Sequence, residues 1–241
     1  MASLADRFIA RDVLQRLAQY SDIDSPSKHV ADVAVLFVDV QGCSVLCETL
    51  SPPDMNHLLE VAFGCFFDCV HDAGGEVNEI MGDGFMALFE GRPLKESLHA
   101  AVQAALAIRQ YASTRPLAAA LAAVPFVVNI GLHGGSAFVG VTRFIGRTGE
   151  RWTYTASGPV TNIAARLRAL AQDGAILVSG AAATCLADFY NLESMGAQRI
   201  RNIGQIIEVY TLHGKHTDLE QRGAHAREDT SCMDIPGRVM R

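Results

Sequence analysis

The segment Val33-Ala-Val-Leu-Phe-Val-Asp39-Val40 is a near-continuous apolar run, rich in β-branched residues, that closes on an aspartate. Such a run predicts a strand buried on both faces. Ser51-Pro52-Pro53 has the form of a helix start, with Ser51 as the cap and proline in the first turn. That helix is predicted to run to about Asp72 and to stop at Gly74-Gly75. Glu76–Ile80 and Phe85–Phe89 are short strand-like segments, and the Gly82-Asp83-Gly84 turn between them predicts a hairpin. Leu98, Val102, Ala105 and Ile108 fall on one side of a second helix over Leu94–Ala112. Phe126–His133 reads as another buried strand, and Phe138–Val141 and Arg151–Thr155 as extended segments around a glycine-rich loop. A third helix is predicted from near Pro159 to Ala171, and Ile176–Val178 and Ile206–Leu212 complete the strands. The order β-α-β-β-α-β with further α and β elements predicts an α/β fold, a ferredoxin-like split arrangement with additions. Residues 1–30 read as a lead-in helix, on the spacing of Phe8, Val13, Leu14 and Leu17, followed by a linker. Residues 31–213 read as one domain, and 214–241 as a polar tail predicted to be disordered.

Composition narrows the function classes. The 241 residues are 49% hydrophobic and 19% charged, as expected of a globular domain, with a net charge of −6. An acidic chain is a poor general binder of nucleic acid, which needs a basic surface, though a local basic pocket for one triphosphate remains compatible with it. Cys43/Cys47 and Cys65/Cys69 are each four apart, but no zinc pattern flanks them, so they read as small reduced apolar residues. The N-terminus lacks the basic-then-apolar pattern of a signal peptide. The longest apolar run, Leu117–Val128, is broken by Pro125 and is shorter than the about 20 residues that span a bilayer. A cytoplasmic location is expected.

Two places carry candidate chemistry. Asp39 ends the first strand and Asp83 sits at a hairpin tip; if those strands are neighbours, both carboxylates converge. Paired carboxylates are hard oxygen ligands suited to Mg²⁺, which keeps waters and bridges to phosphates. Gln41-Gly42-Cys43-Ser44 follows at once and offers backbone N–H groups to phosphate oxygens. Further on, Asn162 and Arg166 are four apart and so share one helix face. An amide can hold a ribose oxygen, and a guanidinium can stabilise charge on a transferring phosphate. Each feature also has a plain structural reading: a strand-end or turn aspartate, or a solvated helix face.

Taken together, these motifs resemble the catalytic domain of the class III adenylate and guanylate cyclases. The resemblance rests on Leu36-Phe-Val-Asp39-Val-Gln-Gly42, Gly74-Gly-Glu-Val-Asn-Glu-Ile-Met-Gly82-Asp83-Gly, Asn129-Ile-Gly-Leu-His-Gly-Gly135, Tyr154 through Leu167, and Arg201 through Tyr210. It spans roughly residues 30–212. The resemblance implies that Asp39 and Asp83, with the Val40 carbonyl, hold two Mg²⁺ (or Mn²⁺) ions per active site. It makes Asn162 the ribose-orienting residue and Arg166 the transition-state arginine. Glu79 and Thr155 fall on the base-selecting positions, Arg201 where a triphosphate lysine often stands, and Gly42, Cys43 and Ser44 beside the phosphates. It further implies ATP or GTP as substrate and a head-to-tail homodimer with shared sites. The chain departs from the family at Glu79, where adenylate cyclases carry lysine, at Ser136, where mammalian members carry arginine, and at Pro159, where aspartate is common. Glu79 tilts the expected base toward guanine. His133 is placed at a strand end beside glycines, with a structural role. The rival reading is a silent nucleotide-binding or dimerisation module of the same fold, which the presence of Asp39, Asp83, Asn162 and Arg166 disfavours.

Overall fold

In the computed structural model, which describes residues 28–114, 126–200, 204 and 206–216, the first strand divides its side chains between two hydrophobic cores. Ala34, Leu36, Val38 and Val40 face one core, and Val33, Val35 and Phe37 face the other. The run lacks polar alternation because helices cover both faces of the sheet. The elements follow in the order β1 (His29–Val40), α1 (Cys43–Thr49), α2 (Pro52–Asp72), β2 (Glu76–Met81), β3 (Gly84–Phe89), α3 (Leu94–Thr114), β4 (Val128–Gly146), β5 (Gly149–Ser157), α4 (Pro159–Leu170), β6 (Ile176–Ser179), α5 (Gly180–Leu186), β7 (Tyr190–Arg199) and β8 (Ile206–Lys215). Among the described residues the strands form one sheet in the order β2-β3-β1-β4-β6-β8-β7, with β5 pairing β4. The first four strands have the ferredoxin-like order, as expected.

Local rules account for the helices. The Ser51 hydroxyl accepts from the Asp54 N–H at 3.3 Å, and a proline opens α2. Gly74, at φ 75°, ends it, with the Gly75 N–H donating to the Val70 carbonyl at 2.9 Å. On α3 the predicted stripe of Leu98, Val102, Ala105 and Ile108 is buried. The packing of α2 and α3 against the β1/β3 face leaves α4 for the opposite face, where Val160 and Ala164 meet Val33, Val35 and Phe37.

The largest difference from the sequence reading is β4. The predicted strand Phe126–His133 and the extended segment Phe138–Val141 are joined across Gly134-Gly135 as one 19-residue strand. It pairs β1 antiparallel along its first part and β5 along its second. The glycines serve close approach rather than a loop. A side chain on Gly131 would run into the Arg168 N and the Ala164 carbonyl, so α4 lies directly on the strand there. Likewise, a Cβ on Gly134 would lie 2.8 Å from Leu98 Cδ2 on α3. Two short helices, α1 and α5, and the largely exposed β7 carry too little apolar period to be read beforehand. The expected lead-in helix lies outside the described residues up to residue 27, as does the tail beyond residue 216.

Candidate active site

β1 and β3 run side by side, and Asp39 is in register with Gly84. This places the carboxylate of Asp39 beside the β2–β3 turn. Gly82 turns the chain at φ 64°, and the Asp83 carbonyl accepts from the Val40 N–H at 2.9 Å, so the turn is pinned to the end of β1. Gly84 makes the approach feasible: a Cβ there would lie 2.6 Å from the Val38 carbonyl and 3.0 Å from Asp39 Oδ1. Burial raises the Asp39 pKa from its ordinary value. Arg168 opposes that rise, and the neighbouring Asp83 adds to it. Gly42, at φ 73°, starts α1 immediately after Gln41, and a helix's first N–H groups have no intrahelical partner. Cys43 is buried and Ser44 is exposed. Burial, with Asp83 and Cys47 adding, pushes the Cys43 thiol up to about 12, so it stays a neutral apolar group.

A second feature lies one pleat back along the same strands. Phe37, Glu79, Met86, Thr155, Asn162 and Ala165 line a cavity of about 330 Å³. A β-bulge aims Glu79 into it. Glu76 pairs Leu88 and Val77 pairs Ala87, but Glu79 pairs Met86, leaving Asn78 as the extra residue. In a regular strand Glu76 and Glu79 would face opposite sides. The bulge instead returns Glu79 to the side that carries Met86 and Phe37. The Thr155 hydroxyl then donates to Glu79 Oε1 at 3.2 Å. Asn162 is exposed on α4, and Arg166 lies one turn further along, half-buried and not among the cavity-lining residues.

The structure thus sorts the sequence-predicted residues into two groups on one chain. Asp39, Val40 and Asp83 form an acidic corner next to Gly42, Cys43 and Ser44. Glu79, Thr155 and Asn162 share the cavity. Arg201 lies outside the described residues.

The first comparison that decides the family is a match over residues 25–214 to the model of the adenylate and guanylate cyclase catalytic domain. The chain belongs to this family. It is similar to the adenylate cyclase of Anabaena cylindrica, 25% identical over 168 residues, which are 68% of this chain and 33% of the relative. It is also similar to adenylate cyclase 1 of Rhizobium meliloti (strain 1021), 27% identical over 188 residues, which are 76% of this chain and 28% of that protein. The chain therefore spans about a third of the length of the curated relatives it matches. Its fold resembles the crystal structure of the adenylyl cyclase CyaB from P. aeruginosa, with a TM-score of 0.72 at 22% identity, covering 80% of this chain and 98% of that one. It equally resembles the guanylate cyclase domain of RhGC from Catenaria anguillulae in complex with GTP, with a TM-score of 0.68 at 19% identity, covering 78% and 100%.

In the acidic corner of this cyclase domain, Asp39, Asp83 and the Val40 carbonyl are the groups that could hold a divalent cation. Among the described residues no cluster of three or more His, Cys, Asp or Glu side chains is placed to hold a metal. Two carboxylates with a backbone carbonyl and free positions for water and phosphate suit a hard cation that keeps part of its hydration shell. Sequence reasoning missed Arg168, whose Nη1 lies 3.1 Å from Asp39 Oδ1. Its signal is indirect, because Gly131 seats Arg168 on the sheet. His133 requires a correction. It is inside β4, not at a strand end; it is buried and its Nδ1 is 2.6 Å from Ser179 Oγ. Burial lowers its pKa to about 4, so it is neutral at pH 7. Among the described residues no helix is long and apolar enough to cross a membrane.

Proposed function

We propose that this domain is a purine nucleotide cyclase, converting ATP or GTP into the 3′,5′-cyclic nucleotide and pyrophosphate for intracellular signalling. The carrying observation is the cavity that gathers Glu79, Thr155 and Asn162, distant in sequence, beside the acidic corner. It works as a head-to-tail homodimer in the cytoplasm, the corner of one subunit facing the cavity of the other. Asp39, Asp83 and the Val40 carbonyl would hold two Mg²⁺ or Mn²⁺ ions, which would supply acidification of the ribose 3′-hydroxyl and neutralisation of the triphosphate.

The chain's own residues do the rest. Backbone N–H groups of Gly42, Cys43 and Ser44 hold phosphate oxygens, and Arg201 adds a positive charge to the triphosphate. Asn162 orients the ribose, so that the 3′ oxygen lies in line with the α-phosphorus and the bond to the pyrophosphate oxygen. As the new O–P bond forms and the old one breaks, Arg166 of the partner subunit takes up the developing charge. Neutral, buried His133 takes no proton in this scheme.

Glu79 tilts base choice to GTP. An ionised carboxylate only accepts, which matches guanine N1–H and N2–H and leaves adenine N1 unpaired. The experiment is a turnover assay of the 241-residue chain with Mg²⁺ or Mn²⁺ and each triphosphate. Cyclic nucleotide from either one is the expected result. No product from ATP or GTP, with nucleotide still bound, would favour the silent module instead.

A further inference from the structure

Arg168 is the one cation among the described residues that forms an ion pair with Asp39. Its place is built in. With Gly131 beneath it, the helix backbone at Ala164 and Arg168 rests on β4, and Asp39 projects from the adjacent strand β1 two positions past the register partner of Gly131. The closest approach is Nη1 to Oδ1, at 3.1 Å. The Nε of Arg168 is buried without a hydrogen-bond partner. Arg168 therefore does not clasp Asp39 through Nε and an Nη together, the side-on fork that would hold such a pair most firmly. Oδ1 is also the carboxylate atom that faces Gly84. The corner therefore holds two carboxylates and one guanidinium, and a divalent ion arriving at Asp39 meets a positive charge already in place.

We propose that Arg168 is an internal counter-ion of Asp39 that an incoming metal must displace, so that it sets the metal concentration at which the site fills. This rests on the reading of Asp39 and Asp83 as metal ligands. Without metal, Arg168 holds the half-buried carboxylate in place beside the β2–β3 turn and offsets its repulsion from Asp83. With metal, the arginine loses its partner and repels the new charge at short range. A monovalent charge a few ångströms from a divalent one weakens binding by about tenfold or more, even with generous screening.

The test is Mn²⁺ binding to the full chain without nucleotide, followed by the electron paramagnetic resonance signal of free Mn²⁺. It compares wild type, Asp39→Ala, Arg168→Met, Arg168→Gln and Arg168→Lys. Wild type should show a site that Asp39→Ala lacks. Arg168→Met and Arg168→Gln should bind about tenfold tighter, while Arg168→Lys, keeping the charge, should stay near wild type. Unchanged or weaker Mn²⁺ binding in both neutral variants, with the Asp39-dependent site intact in wild type, overturns the counter-ion role alone. If both neutral variants fail to fold by circular dichroism, the pair is a structural requirement and the proposal fails. If Asp39→Ala leaves all Mn²⁺ binding unchanged, the metal reading falls and takes this proposal with it.

Discussion

The acidic corner and the cavity share strands β1, β2 and β3, to which the cavity adds β5 and α4, yet they are built by opposite means. The corner gains its geometry from the backbone. The Val40–Asp83 hydrogen bond, the left-handed Gly82 and the side-chain-free Gly84 bring two carboxylates together that would otherwise repel. The cavity gains its geometry from side chains, with apolar Phe37, Met86 and Ala165 as walls and Glu79, Thr155 and Asn162 as polar points. A region that must concentrate charge needs rigid backbone, because repulsion would scatter mobile side chains. A region that must read a flat heterocycle needs a mostly apolar hollow with few hydrogen-bonding groups, each aimed. The two differ in tolerance as well. On the proposed function, losing one charge at the corner should empty it, while losing one polar group in the cavity should change preference.

Breaking the corner should therefore have the largest effect. Asp39→Ala or Asp83→Ala leaves a cation with too few charged ligands beside a triphosphate, and turnover should fall by about a thousandfold or more while the circular dichroism melt stays cooperative. Turnover near the wild-type rate in either variant would remove the corner from the chemistry. Next in size is a mixing experiment that asks whether corner and cavity serve each other across a subunit boundary. Asp83→Ala and Arg166→Ala should each be inactive. Equilibrated together, about half the dimers are mixed and each holds one intact site of two, so about a quarter of wild-type activity should return. Absence of recovery, with subunit exchange shown by mass, would place both regions in one chain's own site.

The two regions were unequally legible in the sequence. Asp39 stands out because an apolar strand ends on it, and Asp83 because two glycines flank it; residue type and position at an element's end suffice. In the cavity, Asn162 stood out by its spacing to Arg166, whereas Glu79 and Thr155 were legible only through resemblance. Nothing in Glu76-Val-Asn-Glu-Ile announces that Asn78 is the extra residue of a bulge, and without the bulge Glu79 faces the other side of the sheet. The continuity of β4 was missed for a similar reason. The strand was expected to stop at His133, before Gly134-Gly135, because a glycine needed for close helix packing and one needed for a turn look alike in sequence. Arg168 escaped notice because its partner is set by how deeply α4 sits on Gly131, a tertiary distance with no local pattern. The ferredoxin-like order, by contrast, follows from element order and chirality, which short connections leave little room to vary.

A smaller effect should come from changing what the cavity reads. Glu79→Lys replaces an acceptor with a donor at the point the bulge aims inward. The ratio of kcat/KM for GTP over ATP should fall by about a hundredfold, since each mismatched buried hydrogen-bonding group costs on the order of 1–3 kcal/mol. A ratio that stays put would mean that Glu79 does not contact the base. The Asp39-dependent Mn²⁺ affinity should hardly move in this variant, and that second reading separates cavity from corner.

The smallest effect, and the sharpest test of that separation, is Thr155→Val. Valine keeps the shape and the β-branched fit of the strand but deletes the hydroxyl that donates to Glu79 Oε1 at 3.2 Å. The Glu79 carboxylate then has one donor fewer, in a half-buried setting where a hydrogen bond to a charged group is worth about 1.5–3 kcal/mol. Part of that loss is recovered by water, because the cavity is open to solvent. The expected outcome is a change of about tenfold in kcat/KM for GTP, carried mainly by KM, because Thr155 positions Glu79 in ground state and transition state alike. Mn²⁺ binding should stay within about twofold of wild type, as expected of sites without shared partners. A parallel loss of Mn²⁺ affinity would show that cavity and corner are coupled through β1 and β3, and that the backbone-built half of the site depends on the side-chain-built half.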